Sequence, residues 1–184
     1  CLIVVDSGEG LTEQDVKIAG YVHEQGKPSV VVMNKWDLIE KDTNTVNKFE
    51  EKLRLDLKFM DYYRSIYISV KTGQRAEKVL KLAREVYEHA NFRVSTGTLN
   101  DLVLDAVRTN EPPSYNGKRL KIYYCSQPSV CPPTFVLFVN DEQLMHFSYK
   151  RYLENVLRRS FDFSGTPIRI VTRNRGENES GMMG

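Results

Sequence analysis

The chain has 184 residues, 41% of them apolar and 27% charged, with a formal net charge of +2 at pH 7. That composition suits a globular protein and leaves room for one large domain or two small ones. No apolar run approaches the ~18 residues of a membrane span, so no membrane partner is expected, and so small a net charge does not by itself argue for nucleic acid.

Charge is unevenly spread. Residues 1–90 carry 14 basic and 15 acidic side chains, and residues 91–184 carry 12 and 9. The excess leans the second half toward an anionic partner. The three cysteines, Cys1, Cys125 and Cys131, have no zinc spacing. Cys125 and Cys131 flank a Pro-containing loop and could bridge, but the reading adopted is reduced thiols of a cytosolic protein. His23, His89 and His146 are scattered and are read as surface or packing residues. No signal peptide is visible.

The chain opens inside an apolar strand, Leu2-Ile3-Val4-Val5-Asp6. Thr12-Glu13-Gln14-Asp15 then reads as an N-cap with an acidic third position. Val16, Ala19, Val22 and His23 follow at helical spacing, and Gly26-Lys27-Pro28 ends that helix. A second strand, Ser29–Met33, leads into Asn34-Lys35-Trp36-Asp37. Asn-Lys-x-Asp after a buried strand is how GTP-binding proteins read guanine. An ionised carboxylate has acceptors and no donor, whereas guanine presents two adjacent donors, N1–H and its exocyclic amine. Asp37 can accept both in charge-assisted bonds. Adenine would turn a lone pair toward the carboxylate, so the site selects by rejection. Asn34 can bond the other purine edge and hold the loop. Lys35 can lay its aliphatic stem across the base. Trp36 has two readings, pocket or packing.

The next helix is predicted over Thr45–Met60, with Val46, Phe49, Leu53 and Leu57 inward. A third strand, Ser65–Ser69, runs into Val70-Lys71-Thr72-Gly73. Ser69-Val70-Lys71 after a strand matches the second guanine loop of the same proteins, whose backbone N–H groups donate to the guanine carbonyl. A helix over Gln74–His89 follows, with Val79, Leu80, Ala83, Val86, Tyr87 and Ala90 as its stripe. Strands without alternation, each followed by a helix, predict a parallel sheet with both faces covered. Ligands of such sheets sit beyond the strands' carboxyl ends, where Asp6, Asn34 and Ser69 all fall.

Beyond Asn91 the style changes. Phe92–Ser95 is short and extended. Thr98-Leu99-Asn100-Asp101 opens a helix to Arg108. Glu111–Gly117 is a loop rich in breakers. Arg119–Cys125 alternates, with Leu120, Ile122 and Tyr124 on one face and Lys121 and Tyr123 on the other. Ser126–Pro133 is a Pro-rich loop, Thr134–Val139 a strand, Ser148 the cap of a helix to Arg159, and Thr166–Thr172 the last strand. Residues 91–172 thus read as β-α-β-β-α-β, a small antiparallel or mixed sheet with helices on one face. Residues 173–184 are polar, Gly-rich and read as disordered.

No Gly-x-x-x-x-Gly-Lys-[Ser/Thr] cradles phosphates, and no Asp-x-x-Gly positions magnesium or the attacking water. With a start inside a strand, these absences read as the carboxyl-terminal part of a longer protein.

Taken together, the chain resembles the carboxyl-terminal part of the Der/EngA family of bacterial GTPases, which carry two Era-like GTPase domains and a terminal KH-like domain. The matching stretches are Asp6–Gly10 with Glu13-Gln14-Asp15, Asn34–Asp37, Asn116–Tyr124, Phe138–Asp141, Met145–Tyr149 and Phe161–Ile168. Val70 stands where the family usually has Ala, a change a backbone donor survives. The KH-like domain lacks the Gly-x-x-Gly loop that clamps RNA in ordinary KH domains, as does the family.

The fold class this implies is α/β. A partial P-loop-type GTPase domain over residues 1–90, lacking its phosphate-binding elements, precedes an α+β KH-like domain over 91–172. Asn34, Lys35, Trp36, Asp37, Ser69, Val70 and Lys71 would bind guanine, and no catalytic residue or metal ligand falls within the chain. Lys118, Arg119, Lys121, Lys150, Arg151, Arg158 and Arg159, with Arg169, Arg173 and Arg175, are candidates for rRNA phosphate contact, against the plainer reading of a solvated charged face. The resemblance implies a cytoplasmic factor that uses GTP/GDP with Mg2+ and hydrolyses GTP. Its role would be in large ribosomal subunit assembly, with rRNA and the first GTPase domain of the same protein as partners. The chain alone is not expected to hydrolyse GTP. Two alternatives stand beside this: a non-catalytic interaction module, and an unrelated α/β enzyme with a chance Asn-Lys-x-Asp.

Overall fold

A computed structural model describes residues 1–115 and 117–175. The chain divides into two compact units. One comprises Cys1–Asn91 with Phe163–Pro167, the other Phe92–Asp162 with the chain from Ile168 on.

The first unit is built on a three-stranded parallel sheet in the order β1 (Leu2–Asp6), β2 (Val30–Asn34), β3 (Arg64–Tyr67). Val30–Met33 in the central strand are all buried, as a strand covered on both faces requires. Ile3, Val5, Val31 and Met33 face Ala19 of α1 (Glu13–Glu24) and Leu53 of α2 (Thr45–Asp56). Val30, Val32 and Ile68 face Val79, Leu82 and Val86 of α3 (Ala76–Asn91). Cover is incomplete at β1, where Leu2 and Val4 stay exposed on the α3 side.

The predicted capping box forms. The Thr12 hydroxyl accepts from the Asp15 N–H at 3.2 Å, and the Asp15 carboxylate accepts from the Thr12 N–H at 3.0 Å. Two helices depart from expectation. α2 stops at Asp56, and a 3-10 turn over Lys58–Met60 carries Met60 into the core. On α3, Leu80 and Tyr87 are 74% and 60% exposed. They sit one residue, about 100°, off the stripe of Val79, Leu82, Val86 and Ala90 that packs on the sheet.

Phe163–Pro167 completes this unit. Gly165 accepts from the Ser29 N–H at 2.8 Å and donates its own N–H to the Tyr62 carbonyl at 2.6 Å. Its φ is +77°, and a Cβ there would lie 2.4 Å from Val86 Cγ2. Only glycine meets both demands.

The second unit holds a mixed sheet in the order β6 (Ile122–Ser129), β7 (Thr134–Val139), β8 (Arg169–Asn174). β6 and β7 pair antiparallel, β7 and β8 parallel. α4 (Thr96–Thr109) and α5 (Phe147–Ser160) line a small apolar cavity with Cys125, Phe135, Leu137 and Ile170 of the sheet's inner face. A two-residue hairpin, β4 (Ser114–Tyr115) with β5 (Lys118–Arg119), precedes β6.

Several sequence expectations are corrected in this unit. Phe92–Ser95 joins no strand. The Gln127 side chain takes its place, accepting from the Val94 N–H at 2.8 Å and donating to the Phe92 carbonyl at 2.9 Å. α4 starts two residues before Thr98, capped by Ser95, and α5 is capped by His146 rather than Ser148. β6 runs through Pro128, where a loop was expected. The alternation predicted for Arg119–Cys125 breaks at a register shift between Ile122 and Tyr124, which turns Tyr124 outward and Cys125 inward. The last strand runs Arg169–Asn174 rather than Thr166–Thr172. All three thiols are free, Cys125 buried and Cys1 and Cys131 exposed, and burial pushes the Cys125 thiol up to about 12. Of the segment expected to be disordered, residues 176–184 lie outside the described residues.

Candidate functional site

The two loops expected to read guanine meet at the carboxyl rim of the parallel sheet. Asn34 ends β2, and its Oδ1 accepts from the Val70 N–H at 3.1 Å, tying the first loop to the second. The Trp36 N–H donates to the Ile68 carbonyl at 3.0 Å, a second tie. The Val70 N–H is therefore engaged, so donation to a guanine oxygen would fall to the residues after it.

Lys35 sits at φ 60° and ψ 32°, the left-handed region, which swings the chain sharply after Asn34. Its ammonium pairs with the Asp6 carboxylate at the end of β1, at 2.5 Å. Each holds the other charged. The Lys35 ammonium, then the Gly8 N–H, keep the Asp6 carboxyl below the usual range, and Asp6 raises Lys35. Asp6 is the site residue that sequence reasoning missed as a participant. Its place at a strand end was legible, but its partner was not.

Trp36 is 2% exposed and points into the core beneath the loop. Its indole meets Phe49 edge-on at 5.0 Å and Tyr67 at 4.5 Å between ring centres. The Tyr67 hydroxyl donates to Glu50 Oε1 at 2.8 Å, and Glu50 also receives the hydroxyls of Tyr63 and Ser65. Trp36 thus supports the loop from below and does not line its open side.

Asp37 is half-buried beside the second loop. The Ser69 hydroxyl holds its carboxyl below the usual range against the opposing effect of burial, and the Lys71 and Lys41 charges act the same way. The carboxylate is therefore ionised at neutral pH. Its Oδ1 is buried and has no hydrogen-bond partner. Ser69 is buried and anchored by its N–H to the Gln74 carbonyl at 3.1 Å, and its hydroxyl also accepts from the Thr72 N–H at 3.2 Å. Val70 and Lys71 are exposed at the loop tip.

The basic candidates that precede the last strand are spread over several elements. Lys118 and Arg119 form β5, and Arg119 pairs with Glu111 at 2.5 Å. Lys121 is exposed beside the Asn140 side chain, which accepts its N–H at 2.8 Å. Lys150, Arg151, Arg158 and Arg159 ride on α5. Lys150 and Arg159, nine residues apart, point about half a turn away from one another. Arg158 is mostly covered and bonded to Glu154 at 3.0 Å. Among the described residues, no cluster of three or more His, Cys, Asp or Glu side chains could hold a metal ion.

Residues 93–173 match the sequence profile described as the KH-domain-like, C-terminal domain of EngA bacterial GTPase enzymes. Over 175 residues the chain is 56% identical to the GTPase Der of Ruminiclostridium cellulolyticum, covering 95% of this chain and 40% of that protein. It is 57% identical over 176 residues to the GTPase Der of Desulfitobacterium hafniense, covering 96% and 40%. With the GTPase Der of Acetivibrio thermocellus the identity is 55% over 175 residues, covering 95% and 40%. The chain spans 40% of the length of these curated relatives.

Proposed function

Because the chain belongs to the Der/EngA family of bacterial GTPases and corresponds to its carboxyl-terminal part, we propose that it is the guanine-reading and KH-like portion of a protein that binds and hydrolyses GTP. The observation that carries this reading is the Asp37 carboxylate, ionised and half-exposed on a rim where two loops are tied together. Guanine's N1–H and amine are the donors that would complete it. Asn34 spends its Oδ1 on Val70, so its amide N–H2 faces the remaining purine edge. Lys35, held by Asp6, offers its aliphatic stem to the base.

Phosphate contacts and Mg2+ ligands belong to other parts of the longer protein, since neither a phosphate-cradling motif nor an Asp-x-x-Gly occurs in residues 1–184. The isolated chain therefore binds guanine nucleotides weakly and hydrolyses none. In the cell the longer protein acts in the cytoplasm on the assembling large ribosomal subunit. Its KH-like residues 91–172 meet rRNA or the first GTPase domain of the same protein.

The test is Asp37→Asn in the longer protein, with GDP, ADP and xanthosine diphosphate in competition. The amide replaces one acceptor with a donor, so GDP affinity falls by at least about tenfold, while xanthine, with a carbonyl in place of the amine, gains. An unchanged order of preference among the three nucleotides would sink the assignment of Asp37.

A further inference from the structure

Strand periodicity assigns a common outer face to the mixed sheet of the second unit, opposite the face that α4 and α5 cover. Pairing puts Tyr124, Phe138 and Arg173 in one row across the three strands, and Val136 beside Val171 in the next. The shift at Ile122–Tyr124 brings Tyr123 round to the same end of the sheet. There the Arg175 guanidinium lies 4.6 Å from its ring centre. Tyr123 and Tyr124 are 41% and 42% exposed.

Three features of this face point to one kind of ligand. Tyr124 stacks on Phe138 with ring centres 4.1 Å apart and planes 12° apart. One side of the Tyr124 ring is therefore backed by a second ring and the other is open. Arg173 and Arg175 lie two residues apart along an edge of the sheet, roughly 6.6 Å of strand, the scale of one nucleotide step. None of the three strands contains an Asp or Glu. Charged residues on an edge strand also guard against aggregation, but that role gives no reason for two tyrosines left open beside them.

We propose that this outer face is a stacking platform for single-stranded RNA. Tyr124 and Tyr123 stack against unpaired bases, and Arg173 and Arg175 take the flanking phosphates. Sheet aromatics flanked by guanidinium groups suit a single strand because every base has a π-face, whereas a duplex hides its base faces. The proposal rests on the rRNA part of the reading above and moves the contact away from the α5 cations, which lie on the other side of the sheet.

The experiment is fluorescence anisotropy of the 184-residue chain with a fluorescein-labelled 12-nucleotide RNA, alone and annealed to its complement, over a salt series. The single strand is expected to bind more tightly than the duplex. Tyr123→Ala and Tyr124→Ala each weaken the single strand by at least about fivefold, and both Phe variants restore it. Arg173→Gln and Arg175→Gln, surface changes that leave the fold intact, each lower the slope of log K against log salt by about 0.7. The triple variant Lys150→Gln, Arg151→Gln, Arg159→Gln leaves single-strand binding within twofold. If that triple variant abolishes binding while the tyrosine and Arg173 or Arg175 variants do not, the sheet face is refuted and rRNA contact survives elsewhere. Absence of binding to either RNA at 100-fold excess overturns both the platform and the rRNA contact. Neither outcome bears on guanine recognition, which Asp37 tests.

Discussion

Gly165→Ala should destabilise the unit built on the parallel sheet, by an amount the geometry sets. The new Cβ would lie 2.4 Å from Val86 Cγ2 and 2.7 Å from Cγ1, inside any tolerable contact. Relieving it by moving a packed valine costs about 1–3 kcal/mol, the usual range for an overfilled core. Holding alanine at the native φ of +77° costs about 1–2 kcal/mol more. The sum, about 2–5 kcal/mol, is a large part of a domain's ordinary ~5–15 kcal/mol. Trp36 is the single tryptophan of the chain and is buried in the same unit, so its fluorescence in urea reports this unit's unfolding. The midpoint should fall by roughly 1–5 M for a slope of ~1–2 kcal/mol/M. In a Val86→Ala background the two methyl clashes disappear, leaving the backbone cost and a close 3.1 Å contact with the Cβ of residue 86. A double-mutant cycle should therefore give a coupling on the order of 1–3 kcal/mol. The reasoning fails if Gly165→Ala leaves the midpoint where it was, or if its cost is the same with and without the valine methyls.

Two further outcomes are expected. Asp6→Asn in the longer protein removes the charge that holds Lys35 across the rim, and GDP affinity should fall several-fold with the GDP-to-ADP preference kept. Isothermal titration checks this, and an unchanged affinity would show that Lys35 is placed by its own backbone alone. Asp42 is held down to about 2 by Lys48, the Thr45 hydroxyl and the Asn44 N–H. Its folded value lies below its ordinary one, so its contribution is present at neutral pH and lost as pH falls from about 4 toward 2. The urea midpoint should drop through that window, and Asp42→Asn should flatten the drop.

Much of this protein was legible before any coordinates. Thr12 and Asp15 cap a helix by contacts within four residues, and local chemistry decides such features. The four buried residues of β2, bounded by Pro28 and the Asn34 turn, could only be a strand covered on both sides. The meeting of the Asn34 and Ser69 loops followed, because strand ends in a parallel sheet share a rim. The α3 stripe was half right. Val79 and Val86 pack inward, but periodicity alone could not tell Leu82 from Leu80, since both fit a helical stripe until the sheet chooses its angle.

What remained hidden were events that pair residues distant in sequence. The Lys35–Asp6 pair spans 29 positions and the Asn34–Val70 bond spans 36. The bulge that turns Tyr124 outward depends on the register against β7, which the alternation of β6 cannot record. Residue type and spacing determined most of the elements and the parallel sheet, because those rest on local propensity and burial pattern. Only tertiary packing decided that Asp37 keeps an unpaired buried oxygen, that Gly165 admits no side chain, and that tyrosines and arginines gather on one open sheet face. A contact across the fold depends on where two backbones end up, and no short stretch of sequence contains that distance.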